Sequence, residues 1–139
     1  MEINYLAVLV AGIGAMIVGF VWYGVLFKKA WASVIGIDLN MPPEMAKRMQ
    51  KRMGGAYFLQ LVLSLITAGV LFYHIQNWAG NKTSLGIAFC VWFGFIMTTL
   101  ASGAIWSGKP RNTAWKMFFI TAGAQLLTFV IFALIFSAW

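Results

Sequence analysis

Acidic residues are scarce in this chain: Glu2, Asp38 and Glu44 are the three among 139 residues, and none lies deep in an apolar stretch. That excludes a proton-coupled exporter built on a membrane-embedded carboxylate, and it removes the usual general acid and base pairs. One histidine, His74, and one cysteine, Cys90, complete the sparse inventory. A lone histidine rules out a multi-histidine metal site within one protomer, and a lone cysteine rules out an internal disulfide. Cys90 is expected to be a small buried apolar residue, and no cofactor or metal is expected.

Charge is missing altogether from four long stretches, Ile3 to Phe27, Met53 to Asn81, Thr83 to Gly108 and Met117 to Trp139. Crossing about 30 Å of hydrocarbon at 1.5 Å per residue takes about 20 apolar residues. At this length only helices satisfy their own backbone groups in lipid. With 62% hydrophobic and 9% charged residues, a soluble core with a polar shell cannot be built. The sequence therefore predicts an all-α integral membrane bundle of four transmembrane helices, with spans near residues 4–27, 55–75, 84–106 and 116–139, as a single domain over residues 1–139. The first apolar run lacks a basic region ahead of it and is expected to be a retained helix rather than a secretory signal.

The basic residues that are present cluster at one end of this layout. Lys28, Lys29, Lys47, Arg48, Lys51 and Arg52 lie in the first connection, Lys109, Arg111 and Lys116 in or beside the third, and Lys82 alone in the second. This asymmetry places the first and third loops in the cytoplasm and both termini outside. The formal net charge of +7 is gathered beside apolar segments rather than on one folded face, so anionic lipid headgroups, not nucleic acid, are the expected partner. The first-loop cations are the expected headgroup contacts. Trp31, Trp106 and Trp115 fall near the cytoplasmic boundary and Tyr5, Tyr73, Trp78 and Trp139 near the outer one, as interface anchors. Asn81-Lys82-Thr83 matches a glycosylation sequon, but it stands close to membrane on both sides and reads as a short hairpin.

Within the first loop, Pro42-Pro43-Glu44 resembles a helix start, with proline in the first turn and an acid at the positive end of the dipole. Met41, Met45, Met49 and Met53 recur every fourth residue beside an arc of Lys47, Arg48, Lys51 and Arg52. The pattern predicts a short amphipathic interfacial helix leading into the second span. Thioethers are also soft ligands for monovalent copper. The interfacial reading needs nothing beyond the helix itself.

The spans hold neutral polar residues: Gln60, Ser64 and Thr67 in the second, Thr98, Thr99 and Ser102 in the third, Thr121, Gln125 and Thr128 in the fourth. The first and last sets share the spacing i, i+4, i+7, so each marks one helical face, at matching depths. Interhelical hydrogen bonding is the structural reading; a weakly polar path through an oligomer is the functional one. In the first span, Ala11, Ala15 and Gly19 offer a close-packing surface. Val21-Trp22-Tyr23-Gly24 is echoed by Val91-Trp92-Phe93-Gly94, at a different distance from the start of its helix.

The most specific cluster is Gly19-x-x-Trp22-Tyr23-Gly24-x-Leu26-Phe27-x-x-x-Trp31 followed by Gly36, together with Gly54-x-Ala56-Tyr57, Trp92-Phe93-Gly94-Phe95 and Gly108-Lys109-Pro110. In these motifs the chain resembles a mainly bacterial family of small four-helix membrane proteins, domain of unknown function seventeen-sixty-one. The resemblance covers nearly the whole chain and implies fold, topology and a bacterial cytoplasmic membrane, without an assigned reaction. One departure is Val25, where the family often carries proline after the Trp-Tyr-Gly triplet. Gly19, Trp22, Tyr23 and Leu26 share one face, read either as packing with an aromatic belt or as a pocket walled by Trp22 and Tyr23, with Trp31 beyond. The residues favour a structural or accessory subunit joined to itself or to another membrane protein. The alternative is an oligomeric channel or transporter for an ion or small solute; an enzyme has no visible catalytic group.

Overall fold

A computed structural model describes residues 4–78, 80 and 83–139. Glu2, Asn81 and Lys82, and with them the sequon, lie outside the described residues. The elements in chain order are α1 (Tyr5–Val21), a π-helical turn (Trp22–Leu26), α2 (Lys28–Ile35), α3 (Pro43–Arg52), α4 (Gly54–Trp78), α5 (Ser84–Val91), a second π-helical turn (Trp92–Met97), α6 (Thr98–Ile105) and α7 (Arg111–Ala138). Four spans result: Tyr5–Leu26, Gly54–Trp78, Ser84–Ile105 and Arg111–Ala138. The protein is an all-α membrane bundle.

Local chemistry sets the helix ends. Asn4 caps α1 by accepting from the Ala7 amide at 3.1 Å, and Thr83 caps α5 by accepting from the Gly86 amide at 3.1 Å. Gly36 ends α2 with φ +75°, a left-handed cap that a side chain would strain. Gly108, at φ +67°, turns the chain into Pro110 and the start of α7. That start precedes the apolar run: α7 begins at Arg111, because proline and the following polar residues serve as a first turn.

The first loop holds two helices where one is predicted. α3 forms from the Pro43 and Glu44 start and is separated from α4 only by a turn at Met53. None of its residues is buried; Met45 and Met53 are exposed, Met41 and Met49 half-covered. α2, carrying Lys28 and Lys29 in its first turn, is the additional one. Its last turn is tied to the far end of the sequence: Lys109 Nζ donates to the Val34 carbonyl at 3.3 Å and Lys116 Nζ to Ser33 Oγ at 3.1 Å. Cations there match the negative end of the α2 dipole.

α7 is the hub of the bundle, packing against α1, α2, α5 and α6, while α4 leans chiefly on α1. The main core lies toward the end that bears the termini: Ala7 and Ala11 of α1, Ala68, Leu71, Phe72 and Ile75 of α4, Ile87 and Ala88 of α5, and Phe129, Phe132, Ala133 and Phe136 of α7. A smaller cluster at the basic end joins Ala104 to Ala114, Phe118 and Ala122. Close approach in the first span runs through Ala7, Ala11 and Gly12, where a β-carbon on Gly12 would meet Leu65 at 2.5 Å. Gly19, by contrast, has no neighbour within 4 Å of such a β-carbon. Cys90 corrects its expectation: it is exposed, because α5 turns Ile87 and Ala88 inward and leaves Cys90 on the opposite arc.

Candidate functional site

The two echoed motifs fold alike. Each becomes a π-helical turn in which the backbone is widened by one residue, as in the Phe27 amide donating to the Trp22 carbonyl at 2.8 Å. Each tryptophan then reaches α7: Trp22 Nε1 donates to the Ile120 carbonyl at 2.9 Å and Trp92 Nε1 to the Ala122 carbonyl at 3.1 Å. Residues two apart on a helix differ by about 200° around its axis, so the indoles grip α7 from opposite sides at one level. The depth mismatch inferred from the helix starts is a matter of span offset. α5 begins eight residues before its tryptophan and α1 seventeen, so the first span extends further toward the terminal end.

Gly123 makes the first contact possible. A β-carbon there would come 2.8 Å from Trp22 Cζ2, and an indole cannot flex away as an aliphatic tip can. Gly123→Ala is therefore expected to cost about 1–3 kcal/mol through overpacking, read as a lower midpoint of thermal unfolding in mild detergent. An unchanged midpoint would show that Trp22 does not rest on this glycine.

The predicted motif splits around the π-turn. Trp22 and Phe27 pair at 4.7 Å between ring centroids, while Tyr23 pairs with Trp31 of α2 at 4.7 Å. Leu26 is exposed, since the wider π-turn rotates it off the face that an α-helix would give it. Trp22, Tyr23 and Trp31 are half-buried. The interruption arises with Val25 in place, so no proline is needed for it. In the second π-turn, the carbonyls of Gly94 and Phe95 accept from the hydroxyls of Thr98 at 2.8 Å and Thr99 at 2.6 Å. Threonine thus satisfies groups that the irregular turn leaves exposed to lipid.

The other hydroxyls of the polar stripes also close on their own helices. Ser64 donates to the Gln60 carbonyl at 2.8 Å, Thr67 to Leu63 at 2.9 Å, Thr121 to Met117 at 2.8 Å and Thr128 to Ala124 at 2.9 Å. The predicted bonds between stripes are replaced by these local ones, because a carbonyl four residues back lies within reach of every inward hydroxyl. The Gln60 amide reaches Ser64 Oγ at 3.5 Å, a weak contact, and Ser102 is exposed.

The two glutamines nonetheless come to one level. Phe72 of α4 and Phe136 of α7 meet edge to face at 5.1 Å. Gln60 lies twelve residues before Phe72 and Gln125 eleven before Phe136, so on parallel helices they are about 18 and about 16 Å below that contact. Around α7, Thr121, Gln125 and Thr128 fall between the buried Ile120 and Ala124 on one side and the buried Phe118 and Ala122 on the other. That arc faces inward, yet all three polar residues are only half-buried. The reason is α4. Above Ser64 its inward face is buried; below it, residues 54–60 are exposed without exception, Tyr57 at 52%. The helix parts from the bundle toward the basic end.

The cations expected at headgroups, Lys28, Lys29, Lys47, Arg48, Lys51 and Arg52, are all exposed on α2 and α3 at this same end. His74 is half-buried near the terminal end, its Nδ1 2.9 Å from the Val70 carbonyl. Among the described residues no group of three or more His, Cys, Asp or Glu side chains assembles. The π-turns and the clamps are what sequence reasoning missed; the repeated Val-Trp-aromatic-Gly pattern was their signal. No curated protein and no solved structure matches the chain. The family model described as protein of unknown function (DUF1761) matches residues 6–137, and the chain belongs to that family.

Proposed function

We propose that the protein is a structural or accessory subunit of a membrane assembly, docking to another membrane chain or to a second copy through the outer arc of α4. The observation that carries this reading is the lower half of α4, where Phe58, Leu59, Val62 and Leu63 are exposed with Gln60 beside them. A helix that leaves its own bundle and presents an apolar outer arc is suited to association, since interhelical packing drives helix pairing in lipid. The interior supports a static role, with stripe hydroxyls bonded to their own helices and α1 and α5 held on α7 by indoles. The same closed hydroxyls weigh against a conducting path through one protomer. The basic loops at a single end support an orientation with those loops in the cytoplasm and both termini outside, in a bacterial cytoplasmic membrane.

Native mass spectrometry of the gently extracted particle tests the proposal. The expected result is a stoichiometric second chain, foreign or identical, that is lost when Leu59 and Leu63 are changed to tryptophan. A monomer without any associated chain, moving a solute across vesicles in a manner abolished by Gln60→Leu and Gln125→Leu, would overturn it in favour of transport.

A further inference from the structure

The inner arc of α4 calls for a different occupant from the outer one. Tyr57, Gln60, Leu61 and Ser64 continue the face that buries Ala68, Leu71 and Ile75 higher in the helix. Opposite them stands the half-buried stripe of Thr121, Gln125 and Thr128 on α7. Among the described residues no fully buried side-chain nitrogen or oxygen lacks a partner, and none of those residues hydrogen-bonds the half-buried Gln125 side chain. Its amide is therefore not sealed in the protein. The arc of α7 that bears it is the one that meets α4 higher up, where Phe136 packs on Phe72, whereas residues 54–60 of α4 are exposed.

We propose that the lower halves of α4 and α7 flank a lateral binding cleft for one anionic phospholipid, with its ester carbonyls accepting hydrogen bonds from the Gln60 and Gln125 amides and its phosphate near Lys51 and Arg52. Three features select this ligand. Amide N–H groups in an apolar zone need free acceptors, which ester carbonyls provide and a second transmembrane helix, with its backbone saturated, does not. The stripe hydroxyls already donate to their own backbones, leaving the two amides as the donors on offer. The cations lie at the entry to α4: Lys51 and Arg52 end α3 just before α4 opens at Gly54, and Gln60 lies six residues, about 9 Å, into α4, whose side chains tilt toward its N-terminus and so toward the phosphate. Acyl chains fill the remaining apolar wall.

The test compares lipids that differ in one feature. The protein, delipidated in mild detergent, is titrated with phosphatidylglycerol, with its diether analogue lacking ester carbonyls, and with phosphatidylcholine, and bound lipid is counted by native mass spectrometry. The expected result is one phosphatidylglycerol per chain, bound about tenfold more tightly than the diether, the scale of two intramembrane hydrogen bonds at about threefold each. Gln60→Met and Gln125→Met, close in shape to glutamine, should each remove about threefold of the ester preference. Lys51→Ala with Arg52→Ala should instead remove the preference over phosphatidylcholine and keep that for ester over ether. Equal binding of ester and ether lipids by the wild-type protein, or an ester preference unchanged in both methionine variants, would overturn the proposal. So would a second protein chain found in the cleft by photocrosslinking from position 57. A failure of docking at the outer arc leaves these readouts untouched.

Discussion

Trp92→Ala is expected to lower stability by about 3–5 kcal/mol, the range for truncating a large aromatic core residue. Trp92 packs against both hydrophobic clusters, near Ile87 and Ala88 above and Ala104 and Ala122 below. Its ring also lies 5.7 Å from Phe89. In lipid, no aqueous hydrophobic effect drives helices together, so the loss is one of van der Waals contact and of the bond to the Ala122 carbonyl. Trp92→Phe separates the two. It keeps most of the ring and removes the N–H, and should cost about 0.6 kcal/mol, the average for an intramembrane hydrogen bond. Reversible unfolding in mixed micelles measures both. A phenylalanine variant as damaged as the alanine variant would show that the clamp acts through its hydrogen bond rather than its packing.

Phe132→Ala should be of similar size, about 3–5 kcal/mol, at the other end of the molecule. Phe132 is fully buried, with Phe129 at 6.2 Å and Phe136 at 6.0 Å along α7. Phe136 in turn meets Phe72 of α4. This is the place where α4 is still part of the bundle, so a cavity here should loosen α4 along its whole length. The readout is the same unfolding assay, joined by faster proteolysis in the connection between α3 and α4. Phe132→Leu, which refills much of the volume, should recover most of the loss. If alanine and leucine behaved alike, the site would not be a packed core.

What the sequence disclosed follows from how each feature is encoded. The spans were legible because charge-free length is a property of composition, and the bilayer accepts little else. The glutamine stripes were legible as faces, since i, i+4, i+7 spacing fixes an arc, and Phe72 against Phe136 brings them to one level. Their partners were not, because a hydroxyl chooses between its own helix and a neighbour according to distances that no spacing records. The π-turns were hidden for a related reason: one extra residue per turn needs no special amino acid, and Val25 is compatible with it. The small-residue surface was legible at Ala11 and Ala15, which lie in and against the main core, but not at Gly19. Gly19 obeys the spacing as well as Ala11 and Ala15 do, but α4 has already begun to diverge at its level.

The divergence of α4 underlies both the docking arc and the lipid cleft, so it is the feature to measure. Single cysteines placed at each position from 57 to 75 in a Cys90→Ser background, spin-labelled in vesicles of the purified protein, report lipid contact through collision with oxygen. The account predicts high accessibility at the inner-arc positions 57 and 60, intermediate at 61, and a 3.6-residue rhythm with minima at 64, 68, 71, 72 and 75 above them. Rhythmic protection that continued down through 57, 60 and 61 would mean that α4 stays packed on the bundle, and would contradict the account.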